Sequence, residues 1–428
     1  MDRTFLGRVF KEQQLNFAAQ SVDITREVNL THHLGRSKQV TTITGVRRCG
    51  KSTLLKQISS SVQALQPQIL YATFDDPRFA TFLSEDFEVL YETWLSSGVD
   101  VATPQYLFFD EVQNVLGWER WIDYFSKRPN TKIFITGSNA SLLSSELSTL
   151  LTGRHQDLHL APFSLKELVQ AEFRKKNISV DTVEARALIQ RLLREFERYG
   201  GFPRAYLEQN EELLTQYYAD IIERDILRRL PRVKPKYILE LGTILATETS
   251  RLFNRSNVAR TLGLKDQVTV GKYTSAFVAT YLYRELRAFS PSVRKQLRSL
   301  SKFYCVDHAL ARENGFRAGI ETGSALELMV QMELVRHKFD TYYWHTKEGY
   351  EIDFLLVDKR KPCFAVQVAH SISDKATKAR ELRALSAARR ELDLSAVYLV
   401  TMHESAYLKQ EKIRVISFPE FALNGFEE

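Results

Sequence analysis

The chain has 428 residues, of which 44% are hydrophobic and 26% are charged. At about 100–200 residues per domain this length predicts two to four domains, and the composition excludes a wholly disordered, collagen-like or coiled-coil chain. Basic residues outnumber acidic ones by 59 to 52, which gives a net charge of +7. Spread evenly, that charge has little meaning, whereas a basic cluster would indicate a nucleic-acid surface.

We assign residues 1–30 to an N-terminal leader, and because the N-terminus contains no continuous apolar segment we expect no secretory signal. No stretch of the chain approaches the ~18–20 apolar residues of a membrane-spanning helix. The three cysteines (Cys49, Cys305 and Cys363) are far apart and form no disulfide framework or metal-ligand pair. We therefore expect a cytoplasmic protein with no membrane contact.

Short apolar strands alternate with helical patterns over residues 31–161. This alternation predicts an α/β fold with a parallel sheet covered on both faces. The predicted strands are 39–44, 68–74, 106–109 and 132–136.

The segment Gly45–Thr53 matches G-x-x-x-x-G-K-[ST] and lies between a predicted strand and a predicted helix. Its backbone amides and the helix N-terminus can surround phosphate oxygens. We expect Lys51 to reach the β- and γ-phosphates of ATP and Ser52 to ligate Mg²⁺. Cys49 either gates nucleotide binding through oxidation or, as we favour, is a small side chain at a variable position. The predicted ATP-binding residues are Gly45, Arg48, Gly50, Lys51, Ser52 and Thr53.

Asp110 and Glu111 follow the apolar strand at 106–109. Asp110 is predicted to hold Mg²⁺ through its water shell, and Glu111 to orient or deprotonate the water that attacks the γ-phosphate. A glutamate beside the aspartate favours hydrolysis over transfer to a bound acceptor. Asp75 and Asp76, which are followed by Arg78, either line the nucleotide pocket or cap the next helix.

The next strand ends before Ser138 and Asn139, and either side chain is suited to contact the γ-phosphate and the attacking water. Arg154 follows a glycine and has three open roles. It contacts a phosphate in its own chain, enters the site of a neighbouring subunit in a homo-oligomer, or is an ordinary surface arginine.

Helical patterns without strands follow over 162–230, and more helices are predicted at 236–249, 254–262 and 268–286. The last two, separated by Gly263, are typical of a helix-turn-helix, which either enters a DNA groove or packs only against protein. Residues 223–236 carry a net +4 and 284–302 a net +5, so the rest of the chain is near −2. DNA bound through residues 223–302 is therefore one expected partner.

From about residue 301, a helix at 323–337 and strands at 341–345, 352–357, 363–368 and 396–401 predict a separate α+β unit.

Together these segments resemble prokaryotic AAA-type P-loop ATPases that carry an uncharacterised C-terminal domain. The segments that carry the resemblance, in chain order, are GVRRCGKST, LFFDEVQN, IFITGSNASLL, LTGRHQDLHLAPFS, GGFP, DIIERDIL, SKFYCVDHAL and EIDFLLV. The resemblance implies an AAA-type core over 31–161, a helical lid over 162–230, a winged-helix-like domain over 231–300 and a domain of PD-(D/E)XK nuclease-like fold over 301–428.

In nucleases of that fold a helix glutamate, a strand aspartate and an acid-x-lysine strand gather Mg²⁺. The matching positions here are Glu327 and Asp353, but Gln367 stands at the acidic position and Ala369 at the lysine position. We therefore expect a degenerate domain that serves as a scaffold or binds a protein partner, with His370 a weak candidate substitute for the lysine.

The sequence thus predicts a Mg²⁺-dependent ATPase that couples its nucleotide state to a partner, with DNA the favoured candidate. Two alternatives stay open. One is an ATP-bound switch or scaffold that binds proteins in signalling or defence, and the other is an ATP-driven nuclease.

Overall fold

Five parallel strands form a sheet near the start of the chain. The computed structural model describes residues 1–34, 40–62, 68–138, 154–179, 182–316, 322–409 and 412–426. The chain divides into two compact units, the first made of residues 1–160 with 279–281 and the second of residues 161–278 with 282–428.

The first unit is an α/β unit. Its strands are β1 (Val40–Thr44), β2 (Gln68–Thr73), β3 (Gln105–Asp110), β4 (Thr131–Gly137) and β5 (His155–His159). Its helices are α1 (Arg3–Ala19), α2 (Thr31–Leu34), α3 (Lys51–Val62), α4 (Asp86–Leu95) and α5 (Trp118–Ser126), with 3-10 turns at Pro77–Phe79 and Val112–Asn114.

The strand order β2-β3-β4-β1-β5 places β4 between β1 and β3. All five strands are parallel, so the residues that follow β1, β3 and β4 meet at one edge of the sheet. Loops at the carboxyl edge of such a sheet are the usual place for a ligand site. The end of β4 therefore lies between the loop after β1 and the acids at the end of β3.

The N-terminal segment is part of this unit rather than a leader. Leu6, Val9 and Phe10 of α1 belong to the same buried cluster as residues of β2, β3 and β4. The expectation of a leader over residues 1–30 is wrong for α1, because the amphipathic spacing of its apolar residues gives the helix a face to bury.

Two glutamines of α1 also cover the free edge of the sheet. The Gln13 amide donates to the Thr73 carbonyl at 3.2 Å and accepts from the Thr73 N–H at 3.0 Å. Gln14 makes the same pair of contacts, with the Ile69 carbonyl at 3.1 Å and the Tyr71 N–H at 2.9 Å. Side-chain amides therefore take the place of a sixth strand and block pairing with another chain.

The second unit begins with helices. These are α6 (Leu165–Lys176), α7 (Val183–Tyr199), α8 (Pro203–Leu207), α9 (Glu212–Asp220), a π-helical turn at Ile221–Ile226, a 3-10 turn at Leu227–Arg229, α10 (Pro235–Thr247), α11 (Arg255–Thr261) and α12 (Gln267–Ala279). The last of these helices alternate with the strands of a three-stranded antiparallel sheet, whose order is β6-β8-β7. It contains β6 (Leu252–Phe253), β7 (Tyr283–Arg287) and β8 (Ser301–Cys305), and α13 (Val293–Arg298) lies between β7 and β8.

The helix predicted over 268–286 is wrong beyond Ala279, where α12 ends. Residues 283–287 instead form β7, which pairs with β8 through Tyr283–Cys305 and Leu286–Lys302. Residues 231–300, for which the sequence predicted a winged-helix-like domain, contain α10, β6, α11, α12, β7 and α13, and β8 begins at the next residue.

The end of α7 is fixed by the Gly200-Gly201 pair. The Asp307 carboxylate accepts from the Gly201 N–H at 2.7 Å and caps α14 (His308–Asn314) through the Leu310 N–H at 2.8 Å. Gly200 has φ of +69°, and a Cβ there would lie 2.7 Å from Asp307 Oδ2. A side chain at position 200 therefore cannot coexist with this contact.

The rest of the second unit is an α+β arrangement around a six-stranded sheet of order β13-β14-β12-β11-β10-β9. Its strands are β9 (Asp340–His345), β10 (Glu351–Asp358), β11 (Lys361–Val368), β12 (Ala396–Thr401), β13 (Ala406–Leu408) and β14 (Ile413–Ser417). Its helices are α15 (Thr322–Arg336), α16 (Lys375–Leu392) and α17 (Phe418–Asn424). No helix in the described part of the chain has the length and apolar character needed to cross a membrane.

Candidate nucleotide site

The loop after β1 folds tightly and leads into the first turn of α3. A Cβ at Gly45 would collide with the Leu160 carbonyl oxygen, and Gly50 has φ of +100°, a region that favours glycine. Arg26, which is buried, donates to the Cys49 carbonyl at 2.9 Å and holds the loop from behind. The Cys49 thiol donates to the Leu160 carbonyl at 3.3 Å, and burial raises its pKa, which favours the interpretation of Cys49 as a small packing side chain.

Lys51 is buried within this loop and forms an ion pair. Its Nζ lies 3.3 Å from Glu111 Oε1 and donates to the carbonyl oxygens of Gly45 at 3.2 Å and Val46 at 3.3 Å. Burial alone would lower the pKa of Lys51, but Glu111, Cys49 and Asp110 together outweigh burial, so the pKa is raised. The ammonium group is therefore fully charged and held at the centre of the loop.

Asp110 is held at the end of β3 by three hydroxyl groups. Ser52 Oγ donates to its Oδ2 at 2.7 Å, Thr136 Oγ1 donates to its Oδ1 at 2.5 Å, and the Tyr71 hydroxyl is 3.4 Å from Oδ2. Burial and the neighbouring charge of Glu111 raise the pKa of Asp110. The structure thus brings Ser52 and Asp110 together, as the sequence predicted.

Glu111 has a backbone conformation that few non-glycine residues adopt. Its φ of +52° is left-handed, and its N–H donates to Thr136 Oγ1 at 2.8 Å. Such a conformation costs of order 1–3 kcal/mol and is typical of functional sites. Burial opposes ionisation of Glu111, but the charges of Lys51 and Arg47, with the hydrogen bond from Gln113, hold its pKa below the ordinary value. The carboxylate is therefore ionised and turned toward the loop.

The other sequence candidates have different outcomes. Ser138 is described and buried, just beyond β4. Asn139 lies outside the described residues. Arg48 and Thr53 lie in the loop and the first turn of α3, where Arg48 has φ of +71°.

Arg154 lies at the amino-terminal ends of the parallel strands, opposite the ends that carry the loop and the acids. Its carbonyl accepts from the Val40 N–H at the start of β1, whereas the loop follows the far end of that strand. Its guanidinium is 3.5 Å from Asp123. This position does not fit contact with a phosphate in the same chain, and a role in a neighbouring subunit stays a prediction.

The two acidic residues after β2, Asp75 and Asp76, have different contacts. Asp76 accepts from the Arg78 N–H and caps the 3-10 turn at Pro77–Phe79, as one of the two interpretations expected. Asp75 lies 3.7 Å from the guanidinium of Arg47 in the loop. Asp76 is therefore a capping residue, while Asp75 contacts the loop.

Sequence reasoning missed Thr136, Arg26 and Tyr281. Thr136 accepts from the Glu111 N–H and donates to Asp110. The sequence feature that could have identified Thr136 is a polar residue near the end of β4, the strand between β1 and β3. Tyr281 belongs to the first unit although it follows α12 in the chain, and its ring lies 4.9 Å from that of His159 at the end of β5. Nothing in the local sequence marks Tyr281 or Arg26.

These residues fit a nucleotide and a metal ion. Ser52 Oγ and Asp110 Oδ2 are oxygen ligands of the kind that Mg²⁺ prefers, and Mg²⁺ usually takes few protein ligands beside phosphate and water. The described residues include no group of three or more acidic, histidine or cysteine side chains that could hold a metal by themselves. At the carboxyl ends of the strands the structure thus places a tight loop, a buried ammonium, a pair of oxygen atoms able to ligate a metal ion, and an ionised carboxylate.

Three family models match the chain in succession. An AAA domain matches residues 37–169, a domain of unknown function (DUF8612) matches 190–317 and a second one (DUF4143) matches 322–421. An uncharacterized protein of Haemophilus influenzae is 31% identical over 344 residues, which cover 78% of this chain and 82% of that protein. Another from Methanocaldococcus jannaschii is 29% identical, over 97% of this chain and 92% of that protein.

Among solved structures, the Aeropyrum pernix ORC2 protein in its ADP form is similar with a TM-score of 0.34 and 12% identity, over 77% of this chain and 92% of that chain.

Proposed function

We propose that this chain, which belongs to the same family as the uncharacterized Haemophilus influenzae protein and carries an AAA domain over residues 37–169, binds ATP with Mg²⁺ and hydrolyses it. The observation that carries this proposal is that four residues meet at the carboxyl ends of the strands. Ser52 Oγ is 2.7 Å from Asp110 Oδ2, and Lys51 Nζ is 3.3 Å from Glu111 Oε1. Backbone amides of the loop and the N-terminus of α3 would hold the phosphates.

Lys51 would change partners when ATP binds. Its ammonium would move from Glu111 and the carbonyls of Gly45 and Val46 to the β- and γ-phosphates, which offer stronger charge-assisted hydrogen bonds. Glu111 would then be free to accept a proton from the attacking water. Ser52 and Asp110 would hold Mg²⁺, which neutralises charge on the phosphates.

Ser138, at the end of the strand between the loop and the acids, is the described candidate to contact the γ-phosphate. This assignment rests on its burial beside Thr136, which already bridges Asp110 and Glu111.

The variant Lys51→Ala is expected to bind ATP at least about tenfold more weakly, because a charge-assisted hydrogen bond contributes about 1.5–3 kcal/mol. Titration of a fluorescent ATP analogue measures this affinity. Lys56→Ala, which removes a lysine one turn further along α3, is the matched control and should bind like the wild type. Equal affinity for the wild type and Lys51→Ala would contradict the assigned role.

A second proposal concerns a DNA partner and rests on a groove of about 970 Å³ in the second unit. Four basic residues line it, from α11, α12, β7 and α13, and they are Arg255, Lys272, Arg287 and Arg298. Its one acidic residue, Glu285, is bound to Arg255 at 3.1 Å, to Arg287 at 3.4 Å and to the Ser301 hydroxyl at 2.6 Å. The groove therefore carries net positive charge suited to phosphate contact.

Only some basic residues of the two segments that the sequence indicated line this groove. Residues 223–236 do not line the groove, whereas 284–302 contribute Arg287 and Arg298. Lys302 is buried and turned away from solvent, and burial lowers the pKa of Arg284. Fewer of the counted charges are thus available to a partner than the net +5 of that segment suggests.

The double variant Lys272→Ala/Arg298→Ala is expected to bind duplex DNA more weakly than the wild type. Each lost phosphate contact should also lower the slope of log affinity against log salt by about 1. Fluorescence anisotropy with a labelled duplex of mixed sequence measures both quantities. The control, Lys175→Ala/Lys176→Ala, removes two lysines from the end of α6. No DNA binding by the wild type would instead favour the switch or scaffold that binds proteins.

A further inference from the structure

A pocket of three carboxylates lies in the second unit, apart from the nucleotide site. Glu327 comes from α15, and Glu351 and Asp353 come from β10 of the six-stranded sheet. Lys302 enters the pocket from β8 of the three-stranded sheet, with its side chain 4% exposed. Its Nζ lies 2.6 Å from Glu351 Oε1 and 3.5 Å from Glu327 Oε1.

Each carboxylate is also held by a hydrogen-bond partner. The Tyr304 hydroxyl donates to Glu327 Oε1 at 2.5 Å, and the Val368 N–H donates to Asp353 Oδ2 at 2.9 Å. His345 Nε2 lies 3.3 Å from Glu351 Oε2. Glu327 and Glu351 are therefore fixed in place beside the ammonium, and Asp353 is fixed by the backbone of β11.

The pocket contains the positions that the sequence assigned to a degenerate metal site. Gln367 Oε1 accepts from the Asp353 N–H at 3.3 Å, so its amide serves the backbone instead of a metal ion. Lys302 was not among the sequence candidates, because it precedes the helix glutamate in the chain rather than following the strand aspartate. The ammonium beside these carboxylates therefore comes from the three-stranded sheet and not from position 369.

Burying an ammonium group costs several kcal/mol unless carboxylates compensate it. Burial and the charge of Glu327 raise the pKa of Asp353 well above its ordinary value, and the charge of Lys302 opposes that rise. Arg380, whose charge also acts on Asp353, is bound to Glu381 at 2.6 Å.

We propose that Lys302 is the built-in cation of this carboxylate pocket, that it keeps divalent metal ions out, and that it joins the three-stranded sheet to the six-stranded sheet. The pocket is then an ionic contact within the second unit and supports no metal-dependent hydrolysis. This inference does not depend on ATP hydrolysis by the first unit.

The test is a Mn²⁺ titration of the full nucleotide-free chain, with free Mn²⁺ measured by electron paramagnetic resonance. The variant Lys302→Met removes the ammonium and keeps much of its volume. This variant should bind one more Mn²⁺ per chain than the wild type. Its affinity for that ion should exceed the affinity of the wild type about tenfold or more, because no ammonium then neutralises the carboxylates. Lys302→Met/Asp353→Asn should lose that ion. Lys295→Met, on α13, is the control for the loss of a lysine and should match the wild type.

Two results would overturn the proposal. One is a Mn²⁺ site in the wild type that Asp353→Asn removes, since the native pocket would then hold a metal. The other is no gain of Mn²⁺ by folded Lys302→Met. If Lys302→Met does not fold, the comparison of the wild type with Asp353→Asn still decides whether the native pocket takes a metal. The charge-balanced Lys302→Met/Glu351→Gln should then recover the fold, and its failure to do so would contradict the compensating role of Lys302.

Discussion

The variant Glu111→Gln is expected to bind ATP and to fail to hydrolyse it. The glutamine keeps the shape of the side chain and can still accept from Lys51, but it cannot take a proton from water. Loss of a general base lowers turnover by about 10²–10⁴-fold. ATP binding should be unchanged or tighter, because a negative charge 3.3 Å from Lys51 is removed from beside the phosphates.

Phosphate release and nucleotide binding, measured on the same preparation, check this expectation. Glu119→Gln, in the first turn of α5, is the matched control and should turn over like the wild type. Turnover by Glu111→Gln at the wild-type rate would show that another group activates the water. Loss of ATP binding in this variant would show instead that Glu111 supports the loop rather than the chemistry.

Replacing Gly200 by alanine is expected to destabilise the second unit by about 2–5 kcal/mol. The new Cβ would lie 2.7 Å from Asp307 Oδ2 and 2.9 Å from the Cβ of Ala309, and the residue would keep a left-handed φ. To relieve the overlap, Asp307 would have to leave the Gly201 N–H and the Leu310 N–H. Two buried donors would then lack an acceptor.

Gly263→Ala is the matched control because Gly263 has φ of +64° and no atom within 4 Å of its Cβ position. It should lose only about 1–2 kcal/mol, the cost of a left-handed alanine. Urea unfolding compares the two variants, and hydrogen exchange at Gly201 and Leu310 locates the effect. Equal losses would show that the contact with Asp307 contributes nothing beyond backbone strain.

Much of the nucleotide site could be predicted because its residues belong to short motifs. The loop at 45–53 and the acids Asp110 and Glu111 are adjacent in sequence to the strands that position them, so local pattern suffices. Alternation of strands and helices likewise indicated the parallel sheet of a P-loop NTPase fold. The structure brings Lys51, Ser52, Asp110 and Glu111 together as those motifs require.

The features that the sequence did not reveal depend on contacts between residues that are distant in the chain. Thr136 contacts Asp110 only because β4 pairs with both β1 and β3, which no local pattern states. The strand β5, His155–His159, has one buried residue and so lacks an apolar pattern. Residues 283–287 form a strand because β8 is available to pair with them. Lys302 resembles any surface lysine until the carboxylates that surround it are known.

The most direct test of Mg²⁺-dependent ATP hydrolysis is to measure phosphate release from ATP by the purified full chain, with Mg²⁺ present or removed by chelation. We predict release that requires Mg²⁺, that is lost in Glu111→Gln and that is retained in Glu119→Gln. Release that continues without a divalent ion, or that is unaffected by Glu111→Gln, would contradict the proposal that this edge of the sheet is a Mg²⁺-dependent ATPase site.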